Sequence, residues 1–182
     1  MNNSQWRALG LVPVCALGLS ACSVLEPEEA GLSPDEEITV TSSEIPDFEP
    51  EDVPDKEVKD DLTQTVKDEG LNVEWTLQGV YADSVQGSVV TVALKNLNDV
   101  PLPADAIGQP KLEYRSGNSY EEVDLLDYDP EVNSDVNPPG LDYPLGEKAT
   151  TNVQYRVDAS PTALTDARLN LGNVTWAGNL NL

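Results

Sequence analysis

Short stretches in which apolar and polar residues alternate dominate the chain from residue 71 onward. Apolar side chains occupy nearly every second position of 71–81, and the β-branched run 88–96 repeats the pattern. A period of two is typical of a half-buried strand, and no 11-residue window in this region shows the apolar stripe of a helix. Similar stretches cover 111–115, 120–126, 150–157, 168–171 and 174–176. The side chains predicted to face inward are Leu71, Val73, Trp75, Leu77, Tyr81, Val90, Val92, Leu94, Leu112, Tyr114, Val123, Leu125, Thr151, Val153, Tyr155, Val157, Leu169, Leu171, Val174 and Trp176.

About seven short strands separated by turn residues predict an all-β fold, an antiparallel β-sandwich spanning residues 71–182. Trp75 and Trp176 are the bulkiest inward residues, and we expect both in the core. The inward parity changes between Leu171 and Val174, which predicts a bulge or a tight turn near Gly172.

The composition excludes several classes of function. The chain has no His, which removes Ser-His-Asp and Cys-His nucleophiles and every His-containing zinc site. It carries 33 Asp and Glu against 10 Lys and Arg, a formal net charge of -23. Such a chain is repelled by phosphate backbones, so we expect no nucleic-acid partner. Its two Cys are too few for a disulfide framework.

The N-terminal residues have the layout of a secretory signal peptide. Arg7 precedes the apolar stretch 8–19, which is too short to span a membrane because a spanning helix needs about 20 residues. The stretch ends in Leu19-Ser20-Ala21-Cys22. This tetrapeptide resembles the lipobox of bacterial lipoproteins: a Leu, two small residues and a Cys.

The lipobox resemblance implies three steps: diacylglycerol on the Cys22 thiol, cleavage between Ala21 and Cys22, and acylation of the new N-terminus. Residues 1–21 would be the signal peptide, and the mature protein would be lipid-anchored (palmitate or similar chains) on the extracytoplasmic face of the cell membrane. Two acyl chains give stable attachment. The alternatives are a plain signal peptide in which Cys22 has no role and a buried apolar helix.

Residues 22–70 are predicted to form a disordered acidic linker that starts at the lipidated Cys22. Positions 23–70 contain 17 Asp and Glu, three Lys and five Pro, and Phe48 is their one aromatic residue. Such a segment buries too little apolar surface to offset its chain entropy. Two alternatives stay open: a tail that binds a cation or partner, and a short amphipathic helix within 53–69 through Val58, Leu62 and Val66.

Three stretches of the domain suggest a family. They are VTVALKNLNDVPLPADAI (90–107), KLEYRSGNSY (111–120) and YPLGEKATTNVQYRVDAS (143–160). Together they resemble the extracellular immunoglobulin-like domains of Gram-positive and actinobacterial lipoproteins. The resemblance covers roughly 71–172 and implies an immunoglobulin-like sandwich. Members of that family mostly lack an assigned activity, so it implies a fold more than a function.

The acidic loop 124–135, which overlaps a long acidic insertion at 127–143, is the main candidate site. Alternating carboxylates at Asp127, Asp129 and Glu131 imitate the start of a calcium loop, but Val132 and Pro138 break the EF-hand pattern. The alternatives are an irregular Ca²⁺ site and a solvated acidic loop without a cofactor. The candidate metal ligands are Asp124, Asp127, Asp129, Glu131 and Asp135.

Tyr128 and Tyr143 flank this insertion and are the candidates for a binding face. The adjacent carboxylates of Glu121 and Glu122 point to opposite faces of a strand and cannot flank one glycosidic bond. We therefore expect a non-enzymatic, lipid-anchored cell-envelope protein whose β-sandwich binds a protein, wall or glycan partner. A Ca²⁺-binding extracellular module is the alternative, and a hydrolase that uses carboxylates alone is a more distant one.

Overall fold

Nine strands account for most of the regular structure in residues 47–182, the part of the chain that this computed structural model describes. A single 3₁₀ turn, Ala163–Thr165, precedes β8. The strands are β1 (Lys56–Val58), β2 (Val66–Asp68), β3 (Val73–Ala82), β4 (Ser88–Asn96), β5 (Lys111–Ser116), β6 (Ser119–Glu122), β7 (Thr150–Val157), β8 (Ala167–Leu171) and β9 (Val174–Gly178).

The strands form two sheets that pack into a β-sandwich, which confirms the predicted fold class. One sheet has the order β1-β9-β8-β5-β6, and the other has the order β2-β3-β4-β7. Neighbouring strands are antiparallel, except that β1 runs parallel to β9. The chain passes from the β3–β4 hairpin to β5 in the other sheet, returns to place β7 beside β4, and ends with β8 and β9. These crossings between sheets bring strands that are distant in sequence together in a two-layer sandwich.

The core lies between the sheets and contains both tryptophans. Trp75 and Trp176 are fully buried, as the alternating pattern predicts. Most of the other predicted inward residues of β3, β4, β5, β7, β8 and β9 are buried with them, so the strand periodicity identified the core faces correctly. Gly172 adopts a φ of 57° in the two-residue turn that pairs Leu171 with Val174, which confirms a tight turn at this point.

The folded domain begins before residue 71, which corrects the predicted boundary of the linker. β1 pairs with β9 in one sheet, and β2 pairs with β3 in the other. The segment 56–68 therefore contributes one strand to each sheet. Val58, Leu62 and Val66 are buried, as an amphipathic helix would require, but they lie on two short strands and the connection between them. Residues 1–46, with the signal peptide, Cys22 and the first half of the predicted linker, lie outside the described residues.

Strand β3 departs from strict alternation. Its register with β4 shifts between Leu77 and Gly79, which marks a bulge. Beyond the bulge Tyr81 is 43% exposed, contrary to the prediction that it faces the core. Leu125 is also exposed, because β6 ends at Glu122 and the chain leaves the sheet before reaching it.

Candidate binding surface

The acidic insertion is attached to the free edge of β7. The Leu126 amide donates to the Arg156 carbonyl at 2.9 Å, and the Asp158 amide donates to the Asp124 carbonyl at 2.9 Å. Farther along the insertion, Pro139 bridges to Gln154 on the same strand. Residues 124–143 therefore leave β7 at its C-terminal end and come back to it, which fixes their position on the sandwich.

A buried ion pair lies beneath the insertion. Arg156 faces Val89 across the β4–β7 register, and its Nε donates to Asp83 Oδ2 at 2.7 Å. The Arg156 side chain is 8% exposed and that of Asp83 is fully buried. Arg156 Nη1 also donates to the Asp127 carbonyl oxygen. One guanidinium thus joins β7, the β3–β4 turn and the insertion.

The charges of this pair stabilise each other. The hydrogen bond from Arg156 lowers the pKa of Asp83 to about 2, with help from the Val85 and Gln86 amides and against the opposing effect of burial. The hydrogen bond to Asp83 raises the pKa of Arg156. Both groups therefore remain ionised at neutral pH.

The insertion also covers apolar surface. Val136 is 5% exposed and Asn133 is 2% exposed, although both belong to a segment predicted to be a loop. The Asp129 amide donates to Asn133 Oδ1, and the Asn133 amide donates back to the Asp129 carbonyl. The insertion is therefore a packed element with an acidic exterior.

The five predicted metal ligands do not come together. All of them are exposed, and Asp135 accepts a hydrogen bond from Ser84 while Asp129 caps the amide of Glu131. Within residues 47–182, no three Cys, Asp or Glu side chains form a group that could hold a metal ion. The positions concerned are Asp124, Asp127, Asp129, Glu131 and Asp135.

Most of the large apolar side chains that are exposed in residues 47–182 belong to this part of the chain. We define the 124–143 surface as residues 124–143 together with the β3–β4 turn, residues 83–87. Ser84 contacts Asp135 and Asp83 contacts Arg156, so the turn and the insertion are neighbours. Of the six large apolar residues exposed in the described part of the chain, four lie on this surface: Val85, Leu125, Val132 and Tyr143.

The two predicted binding-face tyrosines line different pockets. Tyr143 is 80% exposed and lines a pocket of about 330 Å³ beside Thr151 and Asn152 of β7. Tyr128 lines a second pocket of about 170 Å³, together with Tyr155 and Arg156. The two tyrosines therefore do not share one pocket.

Sequence patterns alone did not identify Asp83, Arg156 and the pocket role of Tyr155. Asp83 and Arg156 are 73 positions apart, and no local periodicity connects them. The sequence contains only a weak signal for this ion pair. Arg156 occupies an outward position of a predicted strand, and a charged residue at such a position does not by itself indicate a buried partner. Tyr155 was expected as a core residue and is one, at 2% exposure.

Ala21 and Cys22 lie among residues 1–46 and have no structural description here. In residues 47–182, no helix is long and apolar enough to cross a membrane. The chain matches no protein-family model, no curated protein and no solved structure. Membership of the lipoprotein family that it resembles therefore stays a prediction.

Proposed function

We propose that this protein is a lipid-anchored cell-envelope protein whose β-sandwich is a non-catalytic interaction module. The observation that carries the proposal is that four of the six large apolar side chains exposed in residues 47–182 lie on the acidic 124–143 surface, where they are accompanied by exposed carboxylates. Apolar exposure rimmed by polar residues is typical of interaction sites. Tyrosine is also enriched at such sites, since it combines large contact area with a hydrogen-bonding tip.

The charge of this surface favours a basic partner. Asp124, Asp127, Asp129, Glu131 and Asp142 are exposed, and none forms an ion pair with another described residue. Complementary charge steers association and suppresses binding of like-charged surfaces. A protein segment rich in Lys and Arg meets this requirement, whereas nucleic acid or another polyanion does not.

The Leu19-Ser20-Ala21-Cys22 sequence supports attachment to the membrane through Cys22. The acidic residues between Cys22 and residue 47 would then space the domain from the lipid headgroups, because like charges along a chain repel and extend it. The absence of His from the whole sequence supports a non-catalytic role, since it removes the commonest general base.

The anchor is tested by Cys22→Ala in the native cell. We expect the variant to leave the membrane fraction, whereas Cys15→Ala, within the segment expected to be removed, should behave as wild type. Intact-mass measurement of the wild-type protein should show loss of residues 1–21 and gain of a diacylglyceryl group. Membrane retention of the Cys22→Ala variant would contradict the anchor.

The binding surface is tested by site-specific photo-crosslinking in the same cells. A photoreactive residue at Tyr143 should yield discrete crosslinked products. The same residue at Lys111, which is exposed on β5 of the other sheet, is the matched control. Equal products from both positions, or none from Tyr143, would contradict the surface assignment.

A further inference from the structure

The larger pocket lies between β7 and a loop, residues 137–145, that the fold holds at three points. At its start, the Asn137 amide donates to Gln154 Oε1 on β7 at 2.8 Å. In its middle, Leu141 is partly buried against the core. Its last residue exchanges two backbone hydrogen bonds, of 2.8 and 2.9 Å, with Leu102. The pocket of about 330 Å³ is therefore built by the fold, and it lies at the small end of the range for ligand sites, about 300–1,000 Å³.

Two exposed groups of this loop line the pocket. Tyr143 is 80% exposed, and the neighbouring Asp142 is exposed as well, so a ligand can reach both side chains. Among the described residues that line the pocket, Asp142 is the one that carries a charge. An aromatic ring attracts a guanidinium through its π-face, and a carboxylate accepts two hydrogen bonds from one. The pocket thus presents the two groups that bind an Arg side chain.

No cation of this sheet is free to neutralise the Asp142 carboxylate. In residues 47–182, every Lys and Arg on the sheet β2-β3-β4-β7 and in its loops forms an ion pair with another carboxylate: Lys67, Lys95, Lys148 and Arg156. The described cations without an ion pair lie on strands of the other sheet: Lys56, Lys111 and Arg168. A cationic group from outside the domain is therefore the complementary ligand for this pocket.

We propose that the pocket receives the guanidinium of one Arg from a basic segment of a partner protein. Arg suits the pocket better than Lys, because its planar group stacks on an aromatic ring and its N–H groups bond a carboxylate bidentately. Asn137 and Thr151 also line the pocket and offer further acceptor oxygens to the five N–H groups of a guanidinium. This inference rests on the proposed function, since it names the side chain by which a basic partner binds the same surface.

Titration of the mature chain with short peptides tests the inference. The probe is acetyl-Lys-Lys-Arg-Lys-Lys-amide, followed by the NMR shifts of the backbone amides of Asp142, Tyr143 and Asn152. We expect saturable shifts at these three positions. Citrulline in place of the Arg keeps the planar shape and removes the charge. It should weaken binding about fivefold or more, the combined effect of one cation–π contact and one exposed ion pair. Equal binding of the two peptides would overturn the inference.

Variants of the two exposed groups separate the pocket from the general charge of the domain. Asp142→Asn and Tyr143→Leu should each weaken the Arg peptide about threefold to fivefold and leave the melting temperature unchanged, since both side chains are exposed. Tyr143→Phe keeps the ring and should restore binding. Asp105→Asn removes an exposed carboxylate outside the pocket and is the matched control. Wild-type affinity in Asp142→Asn, or an equal loss in Asp105→Asn, would overturn the inference.

The two proposals fail in different ways. If crosslinks form from Tyr143 in cells but the citrulline peptide binds as tightly as the Arg peptide, the surface stands and the pocket inference falls. If the Arg peptide binds at the pocket but no crosslinks form from Tyr143 in cells, the pocket stands and the surface assignment falls.

Discussion

Asp68 joins the two sheets through a buried carboxylate. It is 1% exposed and accepts hydrogen bonds from the amides of Gly70 and Leu71, in the connection between β2 and β3, and from Trp75 Nε1 on β3. It also accepts two bonds, both at 2.9 Å, from the backbone and side chain of Asn173 in the β8–β9 turn. Burial alone raises the pKa of this carboxyl, but the accepted hydrogen bonds outweigh burial and lower it. Asp68 is thus ionised and fully bonded, which a residue assigned to a disordered linker would not be.

We predict that Asp68→Asn lowers the free energy of unfolding by about 2–3 kcal/mol, since hydrogen bonds to charged groups contribute about 1.5–3 kcal/mol each. The Asn amide nitrogen cannot accept a bond, so at least one buried donor on Gly70, Leu71 or Asn173 loses its partner. Urea unfolding at pH 7 measures the change. Asp61→Asn is the control, because Asp61 is exposed and bonds only to residues next to it. An equal loss in both variants would contradict the role of Asp68.

At the scale of elements, the β3–β4 turn is held against the end of β7 by a glycine. Gly87 has a φ of 74°, and a Cβ on it would overlap the carbonyl oxygen of Val157. Gly117, in the β5–β6 turn, has a similar φ of 61° but open space where its Cβ would lie. Comparing Ala substitutions at these two glycines therefore separates the cost of backbone strain from the cost of steric overlap.

We predict that Gly117→Ala costs about 1 kcal/mol, the strain of a positive φ. Gly87→Ala should cost clearly more, because the turn must also move away from β7 and loosen the Asp83–Arg156 pair. Thermal unfolding of the two variants measures the difference. The prediction is wrong if Gly87→Ala is no more destabilising than Gly117→Ala.

The two short edge strands, β1 and β2, contribute buried apolar side chains to the core. Removing residues 23–70 deletes β1 and β2 and with them the burial of Val58, Leu62 and Val66. Each buried Val or Leu contributes about 1.5–3 kcal/mol, so the loss is about 5–9 kcal/mol. That is comparable with the whole stability of a typical domain, about 5–15 kcal/mol.

We therefore expect residues 71–182 alone to be largely unfolded at 25 °C, whereas residues 23–182 unfold cooperatively on heating. Circular dichroism during heating compares the two. The chain 23–182 with Val58→Ala and Val66→Ala should unfold at an intermediate temperature. Equal midpoints for 71–182 and 23–182 would contradict the extended domain boundary.

Local periodicity explains which elements could be predicted from the sequence. The strands β3, β4, β7, β8 and β9 have five residues or more, enough to show alternation, and their core faces were predicted correctly. β1 and β2 have three residues each, which is too short to show alternation. The acidic residues around them therefore led to the prediction of a disordered linker. The bulge after Leu77 was missed because Val80 and Tyr81 are both apolar and hide the change of parity. The Asp83–Arg156 ion pair joins two segments that are 73 positions apart in the sequence, so local patterns could not predict it.

At the scale of the whole molecule, charge works against folding. Residues 47–182 carry 26 Asp and Glu against nine Lys and Arg, so the folded domain repels itself. Protonating exposed carboxylates relieves this repulsion as the pH falls from neutral. The buried carboxylates act in the opposite direction. Because the folded pKa of Asp83 is about 2 and an unfolded Asp has a pKa of about 3.9, its contribution is complete above about pH 4 and is lost as the pH falls toward 2.

We predict that comparison of the wild-type chain with Asp83→Asn isolates this contribution from the general repulsion. The stability difference between them should be largest at pH 5–7, where Asp83 is ionised in both folded and unfolded chains and Asp83→Asn leaves Arg156 buried without its counter-ion. It should shrink between pH 4 and pH 2, as protonation removes the ion pair from the wild-type protein as well. Urea midpoints measured at pH 7, 5, 4, 3 and 2 give the curve. Asp142→Asn, which removes an exposed carboxylate from the same surface, should not reproduce the loss of stability that Asp83→Asn shows at pH 5–7. A gap between wild type and Asp83→Asn that stays constant down to pH 2 would mean that the Asp83 carboxylate does not stabilise the fold through its charge.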